Sequence, residues 1–132
     1  MANLAGHKTF GAPFSNEKEF VKVVYDFDVD AGAQGDYGVL TIDGDLVLTN
    51  FYANVITAVT SDGAPAIDLG IGAGGTELWS DKAKGGLLIN TIVGMDTVGN
   101  VRVADASVIT IGIETADLTA GKIEFVFEFA KL

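Results

Sequence analysis

The sequence contains no cysteine. Disulfide bridges, thiolate metal sites and cysteine nucleophiles are therefore excluded. It holds one histidine, His7. A serine nucleophile needs a histidine or similar base beside it, and Ser15, Ser61, Ser80 and Ser107 form no recognisable motif with His7. Cations are scarce: 8 Lys and Arg stand against 18 Asp and Glu, for a formal charge of −10. Nucleic-acid binding works by setting Lys and Arg against phosphates, and there is no basic stripe here, so no nucleic acid is expected as a partner. No apolar run approaches the roughly 20 residues of a membrane-spanning helix, so no membrane partner is expected either. The opening MANLAGHKTFGAPFSNEK lacks the apolar core of a signal peptide, which points to synthesis in the cytosol. Finally, no long window carries a helical apolar stripe. At most, Ser80 to Lys84 makes a short helical turn.

What the chain does contain is period-two alternation. With 132 residues, 48% of them hydrophobic, it is long enough and apolar enough for one domain with one core. Val21, Val23, Tyr25, Phe27 and Val29 alternate with Lys22, Asp26, Asp28 and Asp30, with Val24 the exception. Ile67-Leu69-Ile71 and Ile109-Ile111-Ile113 repeat the rule. In the last row Ile123, Phe125, Phe127 and Phe129 oppose Lys122, Glu124 and Glu128 around Val126. Such rows are half-buried strands, and a one-residue slip would turn each toward water, so register is tightly specified. Phe125 and Phe127 are the expected core anchors. Asp43-Gly44 reads as a two-residue hairpin turn between VLTI and DLVLTNF. Asp62-Gly63, Gly74-Gly75, Gly85-Gly86, Gly99-Asn100 and Ala120-Gly121 mark further breaks. The expected fold is all-β: a single β-sandwich over residues 19–132, preceded by an extended N-terminal arm, residues 1–18.

The arm has no periodicity, yet it carries Phe10 and Phe14 beside His7. It is either a frayed terminus or a segment ordered against a neighbouring chain, and exposed aromatics favour interfaces. His7, Phe10 and Phe14 are the candidate partner or subunit contacts. Two motifs need weighing. Gly70, Gly72 and Gly75 match the G-x-G-x-x-G dinucleotide fingerprint, but Thr76 to Lys82 is too short and polar for the helix that such a site requires. Asp26, Asp28 and Asp30 have the spacing of a calcium loop. The loop's sixth and twelfth positions would then be Ala31 and Tyr37, where glycine and glutamate are needed. A solvated strand face is one reading of these acids; a hard cation bridged to Asp36, or a partner's lysine, is the other. No catalytic residue, cofactor or metal site is assigned.

The segment LVLTNFYANVITAVTSDGAPAIDLGIGAGG and, further on, SVITIGIETADLTAGKIEFVFEF resemble small β-sandwich virion proteins of tailed bacteriophages, in particular capsid decoration (cement) proteins. The likeness covers residues 37–132 and ends in a "TAGKIEFVFEF" hairpin and strand. It implies a jelly-roll-like sandwich, a homotrimer, and a place on the capsid exterior of a virion. There it would bind the major capsid protein and glue neighbouring subunits. The resemblance carries no catalytic residues. A carbohydrate- or receptor-binding module is the alternative, with Trp79, placed on a loop edge, and Tyr37 and Tyr52 as its exposed aromatics. Another phage head or tail structural protein is a further reading, and an enzyme comes last.

Overall fold

The alternating rows lie in strands, the first of them only as far as Asp26, of the computed structural model, which describes residues 18–96 and 99–132. The strands are β1 (Lys18–Asp26), β2 (Gly35–Thr41), β3 (Leu46–Ser61), β4 (Ala66–Ile71), β5 (Trp79–Ala83), β6 (Ile92–Gly94), β7 (Val101–Val103), β8 (Val108–Glu114) and β9 (Leu118–Lys131). They form two antiparallel sheets, one ordered β1-β9-β3-β6 with β7 also on β3, the other β2-β8-β4-β5. The inward rows meet between the sheets. Ile123, Phe125, Phe127 and Phe129 of β9 are fully buried, as are Ile67, Leu69, Ile109 and Ile111 of the second sheet. The all-β sandwich expected from the alternation is the observed architecture.

The turns depart from local expectation. Among the described residues, β4 and β5 are the only consecutive strands that bond to each other. Asp43-Gly44 therefore makes no hairpin: β2 pairs with β8 in one sheet and β3 with β9 in the other. The turn is instead a crossing between sheets. Gly44 N–H donates to Asp105 Oδ1 at 2.7 Å, and Asp105 N–H donates to Asp45 Oδ1 at 2.8 Å. Thr119-Ala120-Gly121 is no hairpin turn either but the interior of β9, where the register against β3 shifts. Ser80–Lys84 is not helical. Most of it is strand β5, and the short 3-10 turn follows at Lys84–Gly86. β1 ends at Asp26, so Val29 leaves the apolar row and is 76% exposed in the turn beyond.

The Gly70–Gly75 stretch closes the β4–β5 connection. A Cβ on Gly70 would lie 2.5 Å from the Gly75 carbonyl carbon and 2.2 Å from Glu77 Oε1. That oxygen accepts the Ile71 N–H at 2.9 Å. The glycines let the loop fold back onto its own strand, which accounts for the motif without a phosphate.

Candidate functional site

His7, Phe10 and Phe14 lie outside the described residues. Asp26, Asp28 and Asp30 do not form a row on one strand face, because the chain turns after Asp26. Asp26 Oδ1 accepts N–H bonds from Asp28 at 2.9 Å and Val29 at 3.3 Å, and Asp30 Oδ2 accepts from Asp26 N–H at 2.8 Å. Carboxylates that cap their own turn in this way stabilise the turn rather than reach for a ligand. The cation facing Asp26 is the chain's own Lys122, 4.0 Å away.

A different set of acids is assembled on the outer face of the second sheet. Asp36 of β2 and Asp68 of β4 both stand opposite Gly112 of the strand between them. A Cβ on Gly112 would lie 2.8 Å from Asp36 Oδ1 and 3.6 Å from the Asp68 Cβ. The missing side chain therefore leaves room for two carboxylates to lean over β8. Opposite Asp68, β5 carries a bulge. It puts Asp81 at φ 51, a left-handed conformation uncommon outside glycine, and aims its N–H at Asp68 Oδ1, 2.7 Å away. Glu114 completes the group from the end of β8. Carboxylate oxygens of Asp68, Asp81 and Glu114 lie within 4.8 Å of one another. Asp68 is buried and the other two are exposed. A shallow groove of about 530 Å³ runs alongside, lined by Gln34, Gly35, Asp36, Ile113, Glu114 and Thr115.

Crowding shows in the acidity of Glu114. Its hydrogen bond with Asp68, then the charge on Asp68, raise its pKa above the usual glutamate value, with smaller contributions from desolvation, Asp81 and Asp36. An acid whose folded pKa is raised binds its proton more tightly in the folded state. Its stabilising contribution is full below the unfolded pKa and is lost as pH rises through the folded one. Glu114→Gln should therefore raise the melting temperature at pH 7, and the gain should shrink toward zero as the pH falls through the acid range. Melting scans of both proteins across pH would show it. A gain independent of pH would mean that Glu114 is not under this strain.

Chemically, the cluster can share a proton, hold a hard cation through oxygen ligands, or meet lysines and arginines of a partner. Sequence spacing could not reveal it. Positions 36, 68, 81 and 114 come from four strands, and only strand order brings them together. The aromatic set expected for a sugar site is not assembled. Trp79 is fully buried rather than on a loop edge, and its Nε1–H donates to Gly94 O at 2.9 Å. Tyr37 and Tyr52 are both partly buried, and the Tyr37 hydroxyl donates to Ala33 O.

No protein-family model matches the chain, and no curated protein resembles it in sequence. The fold recurs in solved phage capsids. A chain in the acidic stable capsid structure of Helicobacter pylori bacteriophage KHP30 superposes with a TM-score of 0.59 at 10% identity, over 86% of this chain and 93% of that one. A chain of the cyanophage Pam1 capsid asymmetric unit gives 0.59 at 11% identity, covering 88% and 86%. One from the capsid of Ralstonia phage GP4 gives 0.55 at 15%, covering 86% and 85%. At such identities the shared property is the two-sheet fold, over nearly the whole length of each chain.

Proposed function

We propose that this chain is a structural virion protein that binds the outside of a phage capsid and stabilises contacts between major capsid subunits. The observation that carries the reading is the fold, common to chains of three phage capsids across most of their length. The jelly-roll reading is supported by the strand order. A five-stranded sheet, β1-β9-β3-β6 with β7 also on β3, and a four-stranded sheet, β2-β8-β4-β5, are threaded so that most connections cross between them, the exceptions being β4–β5 and β6–β7. The work is done by buried area and not by chemistry. A homotrimer that engages several capsid seams at once gains avidity without any single strong contact. The carboxylate cluster of Asp36, Asp68, Asp81 and Glu114 offers cationic capsid residues a charge-assisted contact.

The N-terminal arm is proposed to serve binding rather than folding. Burying Phe10 and Phe14 contributes roughly 1.5–3 kcal/mol each before ordering costs of about 1–2 kcal/mol per residue, so only a partly fixed arm gains affinity. The purified chain, added to capsids that lack it, should co-sediment with them and raise the temperature at which they rupture. Deleting residues 2–15 should leave the melting temperature of the free protein nearly unchanged and weaken capsid occupancy by about tenfold or more. Absence of co-sedimentation by the full chain would refute the capsid role. Undiminished binding by the truncated chain would refute the role of the arm alone.

A further inference from the structure

The outer face of the first sheet is divided by charge. Neither β3 nor the segment from Gly85 to Met95 contains a charged residue, although the whole chain carries −10. Four large aliphatic side chains gather along that uncharged side. Ile92 of β6 pairs opposite Asn54 of β3 and is 63% exposed. Ile56 follows Val55, whose backbone exchanges bonds with Asn90 and Thr91 at 2.9 and 3.1 Å. Leu88 and Ile89 precede that contact, and Ile56, Leu88 and Ile89 are all exposed. The tip carrying Leu88 and Ile89 is held in place. Leu87 N–H donates to Lys84 O, Thr91 N–H and hydroxyl both donate to Leu88 O, and Asn90 takes the left-handed conformation at φ 63. Leu87 is buried and anchors the turn, so its neighbours are displayed on a fixed frame.

We infer that this uncharged aliphatic face, Ile56, Leu88, Ile89 and Ile92, is the contact between copies of the chain. The inference rests on the proposed oligomeric capsid protein and assigns the surface through which it assembles. Charge selects the occupant. Copies carrying −10 repel one another across most of their surfaces, and 8 cations cannot neutralise 18 acids of a like neighbour. The uncharged face is where that repulsion is least, and around the axis of a trimer the same apolar patch of each copy can turn inward against its neighbours. A cationic partner is better met by the carboxylates on the opposite sheet. Open aliphatic groups of this kind mark interaction sites.

Sedimentation velocity of the full-length chain across the micromolar range tests the assignment. The wild type should self-associate, more strongly at high salt because screening weakens like-charge repulsion. Ile89→Glu/Ile92→Glu should weaken association by about tenfold or more, since it sets carboxylates against each other across the contact. Val29→Glu, an exposed aliphatic away from this face, should associate as the wild type does. If the glutamate variant does not fold, Ile89→Ser/Ile92→Ser replaces it with the same expectation. A monomeric wild type overturns the inference, as does a folded face variant that associates undiminished. A monomeric wild type whose face variant loses capsid binding would give the surface to a capsid subunit and leave the capsid-binding role standing without the trimer. Self-association through this face without capsid binding would support the inference and end the proposed function alone.

Discussion

Phe127→Ala is expected to cost about 3–5 kcal/mol, the usual range for truncating a buried phenylalanine. Phe127 is fully buried in β9, the strand that joins β1 to β3 at the centre of the first sheet. Its ring lies 5.2 Å from Phe51, 6.0 Å from Phe129 and 6.3 Å from Phe125, so the truncation opens a hole in the middle of an aromatic stack. Antiparallel strands locked on both sides of β9 cannot close in to fill it. For a chain of this length the loss corresponds to a fall in melting temperature of about 10–20 °C, out of a total stability of about 5–15 kcal/mol. Glu124→Ala, on the other face of the same strand, should stay within about 0.5 kcal/mol of the wild type. Urea and thermal melts of the two variants compare the faces directly. Equal, small effects would mean that the register of β9 is wrong.

That contrast was legible in the sequence because strand alternation is a local property imposed by burial. The rows Ile109-Ile111-Ile113 and Ile123-Phe125-Phe127-Phe129 have one arrangement that keeps them dry, and the fold uses it. What joins the strands was not legible. Asp43-Gly44 has the chemistry of a tight turn, and it does turn the chain, with Gly44 at φ 88. Whether the strands it connects bond to each other depends on partners 60 or more residues away: Ile42 accepts an N–H from Ala106 and donates one to Ser107, and β3 lies on β9. No pattern local to residues 39–51 encodes that. The Asp26–Asp30 acids illustrate the converse. Their spacing looked like a shared face, and the turn spends the carboxylates of Asp26 and Asp30 on backbone N–H groups within the same five residues.

The carboxylate cluster was hidden for the reason that hid the topology. Asp68 alternates with Ile67 and Leu69 as any outward residue would, and only its pairing through Gly112 to Asp36, and across the bulge to Asp81, makes it part of a group. Glycine in a strand usually weakens it. At Gly112 the absent side chain is the space in which two acids approach, a role that becomes visible only when all three strands are in register.

Trp79→Ala should rival the loss at Phe127, although the sequence placed this residue on an exposed loop edge. Trp79 begins β5 at the margin of the second sheet, yet it is fully buried because its ring reaches across to the first. It meets Phe51 of β3 edge-on at 5.8 Å and Phe125 of β9 at 5.7 Å, and Lys82 Nζ stands 5.8 Å from its centroid. The indole N–H donates to Gly94 O at 2.9 Å, which ties the β5 margin to β6 of the opposite sheet. Truncation to alanine removes the aromatic contacts and leaves the Gly94 carbonyl without that donor, so a loss of about 3–5 kcal/mol is expected. Trp79→Phe keeps much of the ring burial and removes the donor. It should cost less, about 1–3 kcal/mol, mostly through the carbonyl left unsatisfied. Hydrogen exchange at Val93 and Met95 should quicken in both variants, because β6 bonds to β3 over only three residues and the Trp79 bond to Gly94 is one of its ties to the opposite sheet, beside those of Asp96 to Leu78 and Ser80. A melting temperature unchanged by Trp79→Ala would return the tryptophan to the surface. It would also revive the carbohydrate-binding reading that its burial argues against.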